Sequence, residues 1–300
     1  MVVRANAENR PAPSPAAGPL ERERAGLVRV AGVAIVSALM CYPIKGCAGS
    51  PMSAARIVPT GVADDRTFMF VRPDGLFRTQ RSTPRLSIIR PELASDGAKL
   101  TLAADEFDSA TVDVRYDGPR LTVSVHGVWE GSAVDQGDEA AAWASDLLGE
   151  EVRLVRVPPE HQRSVDDRHG DITFTDSTPL HLTSVSSLDD LNARILEKGA
   201  NPVPMERFRP NIVMTGWTEP YIEDGIRDFT LGDVRLRWVK PDVRCNVTLV
   251  DQPTGKRSGP EPLRTLADYR RDPDGGVTFG IKVAVTTPGT IAVGDEIIVH

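Results

Sequence analysis

Apolar residues fall along this chain in short runs broken by glycine, proline and aspartate. Between Pro84 and Trp129 such runs occupy 86–90, 99–102, 111–114 and 121–125. Many short strands with this punctuation point to a barrel or sandwich. Upstream, the Val- and Ile-rich run 27–42 predicts one or two strands. The runs 68–71 and 76–79 flank Arg72-Pro73-Asp74-Gly75, a tight-turn composition, and predict a β-hairpin. Further strands are expected at 180–183, 211–214, 234–238, 246–250, 283–286 and 296–299. Pro241 cannot donate to a sheet ladder, so 240–244 reads as a loop leaving the run 234–238.

Three stretches switch to the helical period. In 138–148, Trp143 and Leu147 share a face, Asp138 can cap and Gly149 ends the helix. In VSSLDDLNARILEKG, Leu188, Leu191 and Ile195 form an apolar stripe. Ser186 or Ser187 caps it, Asp189 and Asp190 favour its first turn, and Lys198 and Gly199 close it. A third helix starts near Glu261-Pro262, with Leu263, Leu266 and Tyr269 on its apolar side. The pattern as a whole is mixed α/β, mostly β.

At 300 residues the chain has room for two domains. Residues 1–26, rich in Ala, Pro, Arg and Glu without period, read as a disordered tail lacking the apolar core of a signal peptide. The polar, aperiodic segment 158–171 reads as a linker or mobile loop dividing 27–157 from 158–300. A net charge of -7 argues against nucleic acid as the main partner but leaves room for a local basic pocket. The longest apolar run, 31–41, is about half of what a membrane-spanning helix needs, so no membrane span is expected. Cys41, Cys47 and Cys245 are too few for a disulfide framework and suit a reducing cytoplasm.

The common catalytic patterns are missing. There is no GxGxxG after a strand, no GxxxxGK[ST], no HExxH, no GxSxG and no CxxC. The five histidines show no metal-ligand spacing. Chemistry therefore rests on single residues in loops: Lys45, Arg66, Arg209, Asn211 and Cys245. Cys245 stands where a loop is expected to meet a strand, beside Arg244, which favours thiolate over thiol. From this segment alone, a small buried hydrophobe and an open ligand or nucleophile both fit.

Eight segments occur in a telling order: YPIKGCAG, DDRTFMFV, FRTQRSTPRL, SLDDLNARI, RFRPNIV, VRCNVTLVDQPTG, EPLRTLADYRR and PGTIAVGDEI. From about Leu27 to the end, the chain resembles proteins with a MOSC amino-terminal β-barrel domain followed by a MOSC domain. That family includes the mitochondrial amidoxime-reducing component and bacterial enzymes that detoxify hydroxylated purines. The resemblance implies a β-barrel-like first domain and a MOSC β-barrel with peripheral helices. It implies the molybdenum cofactor, a phosphorylated pterin whose metal takes one protein cysteine, here Cys245, with Arg244 assisting its deprotonation. A soft thiolate suits such a metal. By motif position, Lys45 and Arg66 would anchor the cofactor from the first domain, and Arg209 and Asn211 from the second. Asp176 and Ser177 match a cofactor-facing loop. Pyridoxal phosphate binding is a further property linked to the family.

The implied activity is reduction of small N-hydroxylated substrates. Electrons would come from a separate iron–sulfur or flavin protein, because the chain lacks the carboxy-terminal ferredoxin-like domain of some relatives. Sulfur transfer through a persulfide on Cys245, or cofactor carriage, are the alternatives. Four positions depart from the pattern. Asp242-Val243 stands where Cys-Ser or Cys-Pro is common, Gly46 replaces a serine, and Ile281 replaces Gln or Asn.

Overall fold

The computed structural model describes residues 33–300. The expected tail and the start of the run 27–42 lie outside the described residues. Two open sheets carry the fold. The larger has eight strands, in the order Ile297–Val299, Asp228–Leu231, Val234–Arg244, Val277–Thr287, Leu180–Ser184, Ile212–Thr215, Ile35–Cys41 and Ser50–Met52. The smaller has five: Arg120–Val125, Trp129–Asp135, Arg153–Arg156, Phe68–Val71 and Ile44–Lys45. Among the described residues no ladder joins the end strands of either sheet, so the expected barrels are barrel-like but not closed.

Three helices flank the sheets: α1 (Asp138–Leu148), α2 (Val185–Glu197) and α3 (Leu263–Tyr269). Leu180–Ser184 and Ile212–Thr215 run parallel. Parallel neighbours need a long crossover, and α2 supplies it. Its face of Leu191 and Ile195 packs with Phe208, Leu266 and Phe279. Ala140, Ala144 and Leu147 of α1 pack on Phe68, Phe70 and Leu154 of the smaller sheet. The other face of that sheet buries Met69, Val71, Val123 and Phe174.

The chain weaves between the sheets. Ile35–Cys41 pairs with Ile212–Thr215 in the larger sheet. Two residues later, Ile44–Lys45 pairs with Phe68–Val71 in the smaller one. Tyr42 and Pro43 therefore form the seam.

Several local expectations are corrected. Run 86–90 is not a strand: Pro84–Ile88 is a 3-10 helix with proline in its first turn, and the strand is Arg90–Leu93. Proline suits that position because the first turn needs no N–H donor there. The segment 240–244 is not a loop but the end of Val234–Arg244. The ladder shifts register on both sides of Pro241, between Trp238 and Lys240 and between Pro241 and Val243. Such irregularities are where a sheet tolerates proline. The run 246–250 is a 3-10 helix, Asn246–Leu249, before the short strand Val250–Asp251. Cys245 is its N-cap residue. The second arm of the expected hairpin, 76–79, forms only single bridges, although the Arg78 amide bonds the Phe70 carbonyl at 2.8 Å. Gly137, not Asp138, precedes α1. Ser184, not Ser186 or Ser187, caps α2 by accepting from the Ser187 amide. The segment 158–171 holds a single bridge, Ser164 to Asp171. Arg163 pins it, donating to the carbonyls of Thr173 and Thr175 at 3.0 and 3.1 Å.

Candidate functional site

A cleft opens where the two sheets meet, and all eight residues singled out in the sequence line it. Lys45 comes from the edge strand of the smaller sheet, and Arg66 from the turn before Phe68–Val71. Asp176 and Ser177 lie in the loop leading to Leu180–Ser184, and Arg209 and Asn211 just before Ile212–Thr215. Arg244 ends its long strand, and Cys245 follows at the turn into the 3-10 helix.

One end of the cleft is built on Tyr42. Its amide donates to buried Asp65 at 2.7 Å and its hydroxyl to the Pro210 carbonyl at 3.1 Å. The guanidiniums of Arg66 and Arg209 each lie 4.3 Å from its ring centroid. Both arginines adopt positive φ, 48° and 55°. Side chains resist that region, at a cost on the order of 1 kcal/mol each, so the surroundings hold both in place. Arg66 pairs with Asp65 and donates to Asn211 Oδ1 at 3.1 Å. Among the described residues, Arg209 has no carboxylate partner. Its Nη1 reaches only the Gln252 amide oxygen, at 3.4 Å, and its Nη2 is shut from solvent without any partner. Burial, reinforced by the like charge of Arg66, pushes Arg209 down to about 10, which leaves it cationic at neutral pH. A guanidinium with unused buried donors is a receptor for an anion, and its planar fork suits phosphate.

The middle of the cleft is paired. Lys45 Nζ donates to the Phe174 carbonyl at 2.7 Å and pairs with Asp176, which also lies 2.9 Å from His126 Nε2. Burial lowers Lys45, and Asp176 opposes that shift. Ser177 accepts from Lys282 at 2.8 Å.

Cys245 lines the same cleft. Its side chain is exposed in the cleft, and its carbonyl accepts from the amide and hydroxyl of Thr248 at 3.1 and 3.0 Å, which fixes the turn. Cys41 and Cys47 are buried in separate cores, and burial pushes both thiols up. They take the bland role that Cys245 does not. Arg244 does not turn to the thiol as its position in the sequence suggested. It pairs with Asp242 and donates to the Phe208 carbonyl at 2.8 Å. Asp242 is buried, with Lys282 Nζ at 3.3 Å and His181 Nε2 at 3.4 Å. Among the described residues no group of three His, Cys, Asp or Glu side chains could hold a metal ion.

Sequence reasoning missed Tyr42, Gln80, His181 and Lys282. His181 stands in a fully buried strand, LHLTS, whose period marks core rather than cleft. Lys282 lies inside the long run Val277–Thr287. Gln80 reaches across to Gln252 through two hydrogen bonds of 2.9 Å, each side-chain amide donating to the other's oxygen, and the segments they join are far apart in sequence. The FRTQR motif marked Gln80's neighbourhood but not this role.

Residues 33–151 match the MOSC N-terminal beta barrel domain, and residues 169–298 match the MOSC domain. The chain is 34% identical to human mitochondrial amidoxime-reducing component 1 over 286 residues, covering 88% of this chain and 82% of that protein. The chain belongs to the MOSC-domain family. The MOSC protein is also 30% identical to human mitochondrial amidoxime reducing component 2, covering 90% of this chain and 84% of that one. A zebrafish molybdenum cofactor sulfurase is 30% identical over 82% of this chain, which corresponds to 31% of the longer sulfurase. Within this MOSC protein, the departures at Gly46, Asp242 and Val243 all face the cleft, whereas Ile281 is buried in the large core.

Proposed function

We propose that this MOSC protein is a molybdenum-cofactor-dependent oxidoreductase that reduces small N-hydroxylated compounds, taking electrons from a separate iron–sulfur or flavin protein. One observation carries the reading. A single exposed thiol, Cys245, shares a cleft with the buried, anion-seeking guanidinium of Arg209. The donor set fits the cofactor at both of its ends. Cys245 would hold the metal, as soft sulfur suits a metal already bound by sulfur. Arg209, Arg66 and Asn211 would hold the phosphate, and the loop of Asp176 and Ser177 with Lys45 would line the pterin between them. When bound, the cofactor supplies two-electron reducing power at its metal. The protein residues orient it, fix its anionic end and leave the Cys245 end open to substrate. A reducing cytoplasm would keep that thiol free. The relatives named for amidoxime reduction support the choice of reaction.

The test is to purify the protein from cells that make the cofactor and to measure molybdenum per chain and amidoxime reduction with an external donor. Near-stoichiometric metal with turnover is expected, and Cys245→Ala should lose both. Full metal and activity in Cys245→Ala would refute the ligand assignment. Metal without turnover would mark a carrier, and labile sulfur on Cys245 without metal would mark sulfur transfer.

A further inference from the structure

The cleft has a second polar pole, which shares only Ser177 with the anchors above. Its centre is Asp242, whose carboxylate is ringed by Arg244, Lys282 and His181. Lys282 Nζ has two partners, Asp242 Oδ1 at 3.3 Å and Ser177 Oγ at 2.8 Å. An ammonium has three N–H donors, so one is left for the cleft that this residue lines. The side chain is only 18% exposed, so its position is fixed.

The groups facing Lys282 come from three elements. Val234–Arg244 contributes Asp242, Arg244 and Lys240; Leu180–Ser184 contributes His181; the loop before it contributes Ser177. Burial alone would raise Asp242, but Arg244 first, then Lys282 and His181, hold it below the ordinary carboxylate value. It is an anion with no proton to give. Burial pushes His181 down to about 3, so its ring is neutral. Lys240 stands opposite Lys282 in the ladder and does not line the cleft. Among the described residues at this pole, Lys282 is the side chain that presents an ammonium proton to the cleft.

We infer that Lys282 is the general acid of the site, donating its proton to the oxygen that departs when the substrate N–O bond breaks. The inference rests on the reductase reading above. An N–OH group, two electrons and two protons give N–H and water. The N–O bond breaks with its electron pair on oxygen. The iron–sulfur or flavin donor supplies the two electrons that nitrogen gains. Lys282 protonates the leaving oxygen, solvent protonates nitrogen, and Lys282 recovers its proton from solvent in the open cleft. Asp242 and Ser177 are positioning residues that hold the ammonium.

The experiment compares loaded wild type, Lys282→Met and Lys282→Arg, each reduced and then mixed with an aromatic amidoxime in a single turnover. Molybdenum per chain should be equal in all three, which shows that each folds and loads. The Met variant should react about 10²-fold more slowly, with the amidoxime concentration giving half the maximal rate little changed. Its rate should fall more steeply than that of wild type as pH rises, because solvent must now supply the proton. The Arg variant keeps the charge on a group that does not release its proton, so it should stay as slow as Met. A Met variant at wild-type rate, or an Arg variant that restores the rate, would overturn the assignment. If loaded wild type reduces no N-hydroxylated compound, the reductase reading fails and the general acid with it. If wild type turns over and the Met variant matches it, only the general acid fails.

Discussion

Arg209 and His181 are buried ionisable groups with opposite consequences. Arg209 is a charge kept without a counter-charge, an arrangement that costs stability unless an anion arrives. Arg209→Met is therefore expected to leave the melting temperature of the cofactor-free protein unchanged or raised. The same change should lower the molybdenum retained after dialysis about tenfold. Calorimetry and metal analysis on one preparation check both halves. His181 is the reverse, a group kept neutral. Its folded value of about 3 lies below its ordinary 6.5, so the unfolded chain binds its proton first as pH falls. Stability is thus lost as pH drops from about 6.5 towards 3, by up to about 1.4 kcal/mol per pH unit. Asp242, held low in the folded state, acts in the same sense at still lower pH: its contribution is present above the unfolded carboxylate value and lost as pH falls through the folded one. Urea titrations between about pH 6 and 4 should show a shallower loss in His181→Gln than in wild type. Little of this could be read from residue types alone. Cys245 was open to two readings until its neighbouring motifs were weighed, and the pairing of Asp242 with Lys282 joins residues that only the ladder brings together.

At the scale of elements, composition marked the helices well and the proline-bearing strands poorly. The 3.6 period of α2 and the Gly149 stop of α1 were plain. Pro241 misled because a proline forbids a ladder bond at one residue, and the sheet absorbs that loss with a register shift instead of ending. Asn246–Leu249 misled because a short apolar run has no period that separates a strand from a 3-10 turn. One glycine carries the junction of two central strands. Gly280 has φ +73°, and a Cβ there would stand 2.5 Å from His181 Nε2 and 2.6 Å from the Leu182 carbonyl. Gly280→Ala is therefore expected to destabilise the protein by roughly 2 kcal/mol or more. It should also displace His181 from Asp242. Denaturant unfolding reads the first effect, and an acid loss of stability as shallow as that of His181→Gln reads the second.

For the whole molecule, the order of motifs pointed to the two matched domains, but not to how they interlock. The first strand of the amino-terminal half lies inside the sheet of the carboxy-terminal half, and Ala54–Val58 pairs with Gly289–Ala292. Sequence patterning reports local partners, whereas this exchange joins residues more than 170 positions apart, such as Leu39 and Ile212. Residues 158–300 expressed alone would lack the neighbours of Ile212–Thr215 and Gly289–Ala292. They are expected to show no cooperative unfolding transition, whereas the full chain shows one; thermal circular dichroism would check this. The net charge of -7 likewise says nothing of a cleft whose far end is cationic.

The ring of Tyr42, shared by two guanidiniums, has a bearing on handling as well as on chemistry. Like charges gathered around one aromatic ring repel, and doubly charged oxyanions in the medium relieve that repulsion better than chloride does. Sulfate or phosphate in a purification buffer would then occupy the very spot proposed above for the cofactor's phosphate. The choice of counter-ion during reconstitution becomes a competition experiment, whether or not it is meant as one.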